Sequence, residues 1–285
     1  MATTKARALA KINLTLHVTG QRADGYHLLD SLVGFADVAD QLTATTAPDL
    51  RLSVSGPFSM GVPTDETNLV MRAAETLRAV RGVTLGAHIT LEKHLPHAAG
   101  IGSGSSDAAA ALNMLAALWK VAPLSPDAPE VAALGADVPV CLAAPRPVRM
   151  SGIGEILTPV LPLPEAAMVL VRPPVAVPTA AVFAGLAQKD NPPMAGLPAA
   201  WDYGGFLDWL RGQRNDLMPP ALAVAPEIGA VLEKLGSLPA VDYAGMSGSG
   251  ATCFAIVKDM ATARHVARIV QVAEMTWWVA PAALM

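Results

Sequence analysis

The chain has 285 residues, enough for one large or two medium domains with a well-buried core. Its charge is low and nearly balanced, 20 Lys and Arg against 24 Asp and Glu, and no basic patch is interleaved with aromatics, which argues against nucleic acid as a partner. Its two cysteines, Cys141 and Cys253, lie in apolar strand-like runs and away from any Cys/His cluster with zinc spacing, so they read as small buried residues in a reducing compartment.

The N-terminus carries Lys5, Arg7 and Lys11 but no apolar signal-peptide core, and no unbroken apolar stretch reaches the ~20 residues of a membrane span. The chain is therefore expected in the cytoplasm, without a membrane partner. Residues 6–18 alternate loosely, as a strand does, and Thr19 to His27 (TGQRADGYH) is a turn-rich polar loop. Strands are predicted at Leu28 to Thr46 and Leu50 to Ser55. A helix follows over Asp65 to Val80, with Leu69, Ala73, Leu77 and Val80 on one face and Thr64 or Asp65 as its cap. A strand at Ala87 to Leu91 leads into PHAAGIGSGSSDAAAALNMLAALW, Pro96 to Trp119, where a Gly/Ser loop gives way to a helix from about Ser105. A short helix approaches Leu134, and Ser151 to Glu155 (SGIGE) makes a turn.

Pro-rich punctuation places a domain boundary near residue 155, giving domains 1–155 and 156–285. The second half holds strands at Met168–Val171, Ala244–Met246, Thr252–Val257 and Thr276–Val279, and helices at Thr179–Ala187, Gly205–Arg211, Pro226–Leu235 and Ala261–Ala273. The polar, Pro/Gly-rich segment Asp190 to Asp202 reads as a mobile connection. Hairpin-like strands mixed with helices predict an α+β chain rather than a doubly wound parallel sheet.

Strand, glycine loop, helix start is an arrangement that cradles anions. The first N–H groups of a helix lack intrahelical partners, the helix dipole adds partial positive charge, and glycines let the backbone approach closely. Gly100, Gly102, Gly104, Ser103, Ser105 and Ser106 crowd into seven positions. The loop is neither of two well-known types. No Lys follows Gly104, as a P-loop needs, and Ser105 stands where the dinucleotide pattern needs Gly. Asp107 suits the dipole of a first turn and equally opposes a phosphate, so it reads as a cap or a metal-adjacent group.

Three further constellations carry chemistry. Lys11 and Asn13, two apart, project from one face of the first strand; Lys11 is either a strand-edge lysine in water or the partner of a buried anion. Asp137, inside the apolar run Val131 to Leu142, is either a turn residue or a carboxylate needing a cation, and each would explain the other. Met246 to Ala251 (MSGSGA) is a second Gly/Ser loop, in which the serine-hydrolase pattern G-x-S-x-G does not close.

These stations, in this order, resemble the GHMP kinase superfamily and, within it, the 4-diphosphocytidyl-2-C-methyl-D-erythritol kinase family. AKINLTLHVTGQRADGYHLLDSL resembles the family's opening signature and PHAAGIGSGSSDAAA its longer phosphate loop; LGADVPVCL, GIGEIL, PTAAVF, RNDL and MSGSGATCF extend the likeness over about residues 5–260. Homoserine and mevalonate kinases, the alternative enzymes, typically carry a shorter loop and lack GYH. A non-catalytic nucleotide-binding protein on this fold would need neither Lys11 nor Asp137. Ala98 and Ala99 stand where the family frequently has Gly, Ser103 stands where Gly is common, and the tail TWWVAPAALM carries no motif.

The resemblance implies a two-domain fold: an N-terminal domain like the second domain of ribosomal protein S5, a C-terminal ferredoxin-like domain, and the site in the cleft between them. It implies transfer of phosphate from ATP, with Mg2+, to the 2-hydroxyl of the methylerythritol moiety of a cytidine-diphosphate substrate in non-mevalonate isoprenoid synthesis. Lys11 and Asp137 match the catalytic pair, and Asn13 a residue near the acceptor. Tyr26 and His27 match residues that hold cytosine, Phe183 the aromatic on the base's other side, and Thr179 a contact in that segment. Pro96, Ala99, Gly100, Ile101, Gly102, Ser103, Gly104, Ser105 and Ser106 match the ATP phosphate loop, and Lys93 a residue near adenine. Gly248, Ser249, Gly250 and Ala251 match the third motif. The metal ligands are not identified, Ser106 being a candidate for Mg2+, and monomer and homodimer stay open.

Overall fold

The computed structural model describes residues 2–285. In chain order the elements are β1 (Thr3–Asn13), β2 (His17–Gln21), β3 (His27–Ala47), β4 (Arg51–Ser55), α1 (Leu69–Arg81), β5 (Gly86–Glu92), α2 (Ser103–Trp119), α3 (Pro129–Leu134), α4 (Val138–Leu142), β6 (Val148–Gly152), β7 (Ile156–Pro159), β8 (Ala167–Arg172), α5 (Thr179–Ala184), α6 (Tyr203–Arg211), α7 (Met218–Val224), α8 (Glu227–Gly236), β9 (Tyr243–Met246), β10 (Cys253–Val257), α9 (Met260–Ala273) and β11 (Trp278–Ala283). The chain is α+β, as the pattern of elements predicts.

Several boundaries differ from the sequence reading, each for a local reason. Residues 6–18 are not one strand. Leu14 and Thr15 both donate their N–H to the carbonyl of Leu32, at 2.9 and 3.5 Å, a bulge that ends β1 and turns Leu16 toward the carbonyl of Arg214. Helix α1 starts at Leu69 rather than near Asp65, because the Asn68 carboxamide takes the cap: its oxygen accepts from Val70 N (2.8 Å) and its nitrogen donates to Pro63 O (2.6 Å). Asp65 spends its carboxylate on Thr67 instead. Cys141 lies in a helix, not a strand, because Pro139 sits in the first turn of α4, where its missing N–H costs nothing. Helix α7 escapes sequence reading because Pro219 and Pro220, which look like breakers, also occupy a first turn.

The described residues divide into two compact units. The first comprises residues 2–10, 38–97 and 102–144. In it the second half of β3 pairs antiparallel with β5 (Leu42 opposite Leu91), and β4 pairs parallel with β5 (Leu52 opposite Ile89). Helix α2 packs on α1 and α4. Beyond its exposed first turn at Gly104 it is buried nearly all round, meeting solvent at Asn113 and Ala117. The run Ala108 to Ala111 allows that close packing.

The second unit comprises residues 11–37, 98–101 and 145–285. The first half of β3 pairs with β2 and β6, and β6 with β7. A separate antiparallel sheet runs β11-β8-β10-β9, with helices in the first and last connections, the split arrangement of a ferredoxin-like domain. One face of β8 and β10, with Val169, Val171, Cys253, Ala255 and Val257, packs with Ile228, Val231 and Leu235 of α8 and Val266 and Val270 of α9. The tail without a motif is β11, whose Pro281 is tolerated because the strand is an edge.

Residues 190–202 are a tethered strap rather than a free connection. Asn191 N donates to Val18 O (3.1 Å), Met194 N to an Asp30 oxygen (3.0 Å) and Ala195 N to Gln213 Oε1 (3.0 Å), while Pro192 O accepts from Arg214 and Gly196 O from the Trp209 indole. Asp30 in turn holds Arg149 in a bidentate pair, both contacts 2.7 Å. Among the described residues, no helix is long and apolar enough to cross a membrane.

Candidate active site

Strand β1 carries Lys11 and Asn13 two residues apart, and both are buried, 4 % and 1 % exposed. That burial excludes the strand-edge reading of Lys11. Asn13 is fixed from its amide side: Nδ2 donates to Ser31 Oγ (2.8 Å), which donates to Thr15 O (2.5 Å). Its Oδ1 is buried without a protein hydrogen-bond partner.

The third-motif loop meets this strand through Ser247, a residue the sequence reading did not select. Ser247 Oγ accepts from Asn13 N (3.0 Å) and donates to Gly100 O (2.9 Å). One residue away, Thr252 N donates to Ala99 O (3.2 Å), and Lys11 N donates to Ile101 O (3.0 Å). Residues 99–101 of the phosphate loop are thus held by backbone from both flanks. Gly100, at φ +74°, has no room for a side chain: an added Cβ would lie 2.6 Å from the carbonyl oxygens of both Gly250 and Ser247. Asn215, from the RNDL stretch, donates Nδ2 to Met246 O (2.8 Å) and Gly248 O (2.9 Å), bracing the third-motif loop from outside. Ser249 meets Thr179, their hydroxyls 2.9 Å apart, so two predicted site residues come together.

The same unit holds the aromatic group. His27 stacks on Phe183 with centroids 4.9 Å apart and planes at 27°. The sequence pairs Tyr26, not His27, with Phe183; here Tyr26 is 58 % exposed on the adjoining loop. His27 Nε2 is buried and unpartnered. Burial, then the Lys189 charge, hold the imidazole below its ordinary pKa, which favours the neutral ring.

In the first unit, α2 begins at Ser103 with no side-chain cap, so its leading N–H groups are not claimed by a cap. A Cβ added at Gly104 would meet nothing within 4 Å, so the space before this exposed turn is open. An uncapped helix start with a bare glycine facing open space suits a polyphosphate. Ser106 is buried and donates to Cys141 Sγ (3.2 Å). The Lys93 ammonium is buried against Asp40, Ser103 and Asp107, and its backbone is also engaged, the N–H donating to Ser55 O (2.8 Å) and the carbonyl accepting from Phe58 N (3.2 Å). Asp137 sits half-buried just before α4 without capping it. Among the described residues, no group of three His, Cys, Asp or Glu is placed to hold a metal ion.

Comparison with known proteins shows the family. The models of the GHMP kinase N-terminal and C-terminal domains match residues 68–144 and 202–274. The chain is 55 % identical over 284 residues, 99 % of both chains, to a 4-diphosphocytidyl-2-C-methyl-D-erythritol kinase of Cereibacter sphaeroides (strain ATCC 17029 / ATH 2.4.9). It is 55 % identical over 279 residues to the kinase of the same name from Dinoroseobacter shibae, covering 97 % of this chain and 93 % of that one. A crystal structure of 4-(cytidine 5'-diphospho)-2C-methyl-D-erythritol kinase superposes with a TM-score of 0.80 at 31 % identity, covering 98 % of each chain. Homoserine kinase from Cytophaga hutchinsonii, at 16 % identity and a TM-score of 0.68, shares the fold. The chain belongs to the 4-diphosphocytidyl-2-C-methyl-D-erythritol kinase family of the GHMP kinases.

Proposed function

We propose that the protein phosphorylates the 2-hydroxyl of 4-diphosphocytidyl-2-C-methyl-D-erythritol, giving the 2-phosphate in non-mevalonate isoprenoid synthesis. The observation that carries the substrate choice is the stacked His27–Phe183 pair with its unpartnered Nε2, an aromatic surface with a polar edge in the unit that also holds Lys11 and Asn13. A nucleobase satisfies both features, by stacking and by hydrogen bonding. Homoserine and mevalonate offer neither a ring nor a base edge.

ATP supplies the phosphoryl group, with Mg2+ neutralising its charge. The N–H groups at the start of α2 and the backbone of residues 99–102 hold the phosphates, and the Ser106 hydroxyl is the side chain nearest in type to a magnesium ligand. Asn13 Oδ1 accepts from the acceptor substrate. Asp137 takes or orients the proton of the attacking hydroxyl, and Lys11 stabilises charge on the transferring group. Tyr26 closes over the base, with Thr179 and Ser249 bordering it. The domain boundary is put near residue 155, between the two family matches, although by compactness residues 11–37, 98–101 and 145–155 group with the C-terminal part of the chain. The partner is a small molecule, the compartment the cytoplasm.

The test is a coupled ADP-release assay offering the cytidyl substrate, homoserine and mevalonate in parallel. Turnover with the cytidyl substrate alone is expected. Turnover with either of the others, or with none, overturns the assignment.

A further inference from the structure

Both ends of the phosphate loop are tied to one buried ion cluster in the first unit. Lys93, Asp40 and Asp107 have side chains 2 %, 0 % and 5 % exposed. Lys93 Nζ has three protons and three acceptors: an Asp40 oxygen, Asp107 Oδ2 at 2.7 Å and Ser103 Oγ at 2.9 Å. Asp40 uses its other oxygen on the backbone just before the loop, accepting from His94 N (2.5 Å) and Leu95 N (2.8 Å). Asp40 therefore fixes the residues entering the loop. Lys93 fixes the residues leaving it, Ser103 and Asp107, in the first two turns of α2. The Ser103 hydroxyl takes the third proton of the ammonium.

The cluster also accounts for a carboxylate placed beside phosphates. One cation faces two carboxylates in a dry setting. Burial is the largest influence on Asp107, ahead of the opposing pull of Lys93 and the push of Asp40, and its pKa rises to about 8.

We propose that Lys93, acting through Ser103 and anchored by Asp40, is a positioning residue that sets the phosphate-holding end of α2. The proposal rests on ATP being the phosphoryl donor. It requires no contact between the ammonium and the nucleotide.

The experiment measures the dissociation constant of a fluorescent ADP analogue, and steady-state KM values for ATP and the cytidyl substrate, in wild type, Lys93→Gln and Ser103→Ala. Lys93→Gln keeps a donor but removes the charge, and is expected to weaken nucleotide binding and raise KM for ATP by about tenfold or more, with KM for the cytidyl substrate within about twofold. Ser103→Ala, which removes one hydrogen bond and leaves the ion pairs, is expected to shift the same two readouts by about two- to fivefold. Should Lys93→Gln not fold, Ser103→Ala decides alone. Unchanged nucleotide affinity in the folded variants overturns the proposal. So does a parallel loss in both KM values together with a lowered Tm, which is what a merely structural cluster would give. Wild type that binds no ADP analogue would instead overturn the ATP reading itself.

Discussion

Ser247 and Asn13, 234 residues apart in sequence, are joined by a 3.0 Å hydrogen bond from the Asn13 N–H to the Ser247 hydroxyl, which passes its own proton to Gly100 O at 2.9 Å. One buried oxygen thereby sets the strand bearing Lys11 and Asn13 against residues 99–101 of the phosphate loop. Ser247→Ala leaves a buried N–H and a buried carbonyl unpaired, expected to cost about 1–3 kcal/mol. Chemical denaturation gives the stability loss, and kcat is expected to fall more than Tm alone explains, because the loop shifts against the strand. Ser247→Thr, which keeps the hydroxyl, is expected to recover part of kcat; equal kcat in all three proteins removes Ser247 from the site.

Asp137 is assigned to the proton of the attacking hydroxyl. Asp137→Asn is expected to lower kcat by about 100-fold or more while KM for ATP stays within about threefold, since the change removes a proton acceptor and keeps the shape. Steady-state kinetics with the cytidyl substrate check it, and near-normal turnover would end the assignment.

The aromatic pair predicts the opposite split. Phe183→Ala removes the ring against which His27 packs, and Tyr26→Ala removes the exposed ring on the adjoining loop. Each is expected to raise KM for the cytidyl substrate by about tenfold with KM for ATP little changed, because base stacking is lost and the phosphate loop is untouched. A rise confined to KM for ATP would place the base elsewhere.

Asp107 predicts a pH-dependent stability difference. Its folded pKa of about 8 lies above the ordinary carboxylate value of 3.8, so the folded state binds this proton more tightly than the unfolded chain. The associated stability is full below about pH 4 and is lost progressively as pH rises to about 8. Asp107→Asn cannot titrate. Urea midpoints from pH 5 to 8 are expected to show the variant gaining on wild type with rising pH; a constant gap would mean that Asp107 is already charged at pH 5.

Features legible in the sequence were those encoded locally. The Gly/Ser loop before an Ala-rich helix is announced by residues within one stretch, and the two-residue spacing of Lys11 and Asn13 puts them on one face of any strand. The helix and strand cores followed from periodicity, with errors at caps and bulges: Asn68 rather than Asp65 starts α1, and the shared Leu32 carbonyl breaks residues 6–18 in two. These errors arise because a cap or a bulge depends on which of several nearby polar groups wins a partner.

The long-range pairings were not legible. Asp40 looks like any polar position in a long strand until Lys93 and the His94 and Leu95 amides are brought to it across more than fifty residues. Segment 190–202 has a loop's composition, yet Asp30, Gln213, Arg214 and Trp209 hold it. Local chemistry therefore marked the Gly/Ser loop, the helix behind it and the family. Tertiary packing decided that Lys93 is buried between two carboxylates, that burial raises the pKa of Asp107, and that Ser247 joins strand to loop. A buried polar group must find partners wherever the fold supplies them, and residue spacing along the chain does not record which ones it meets.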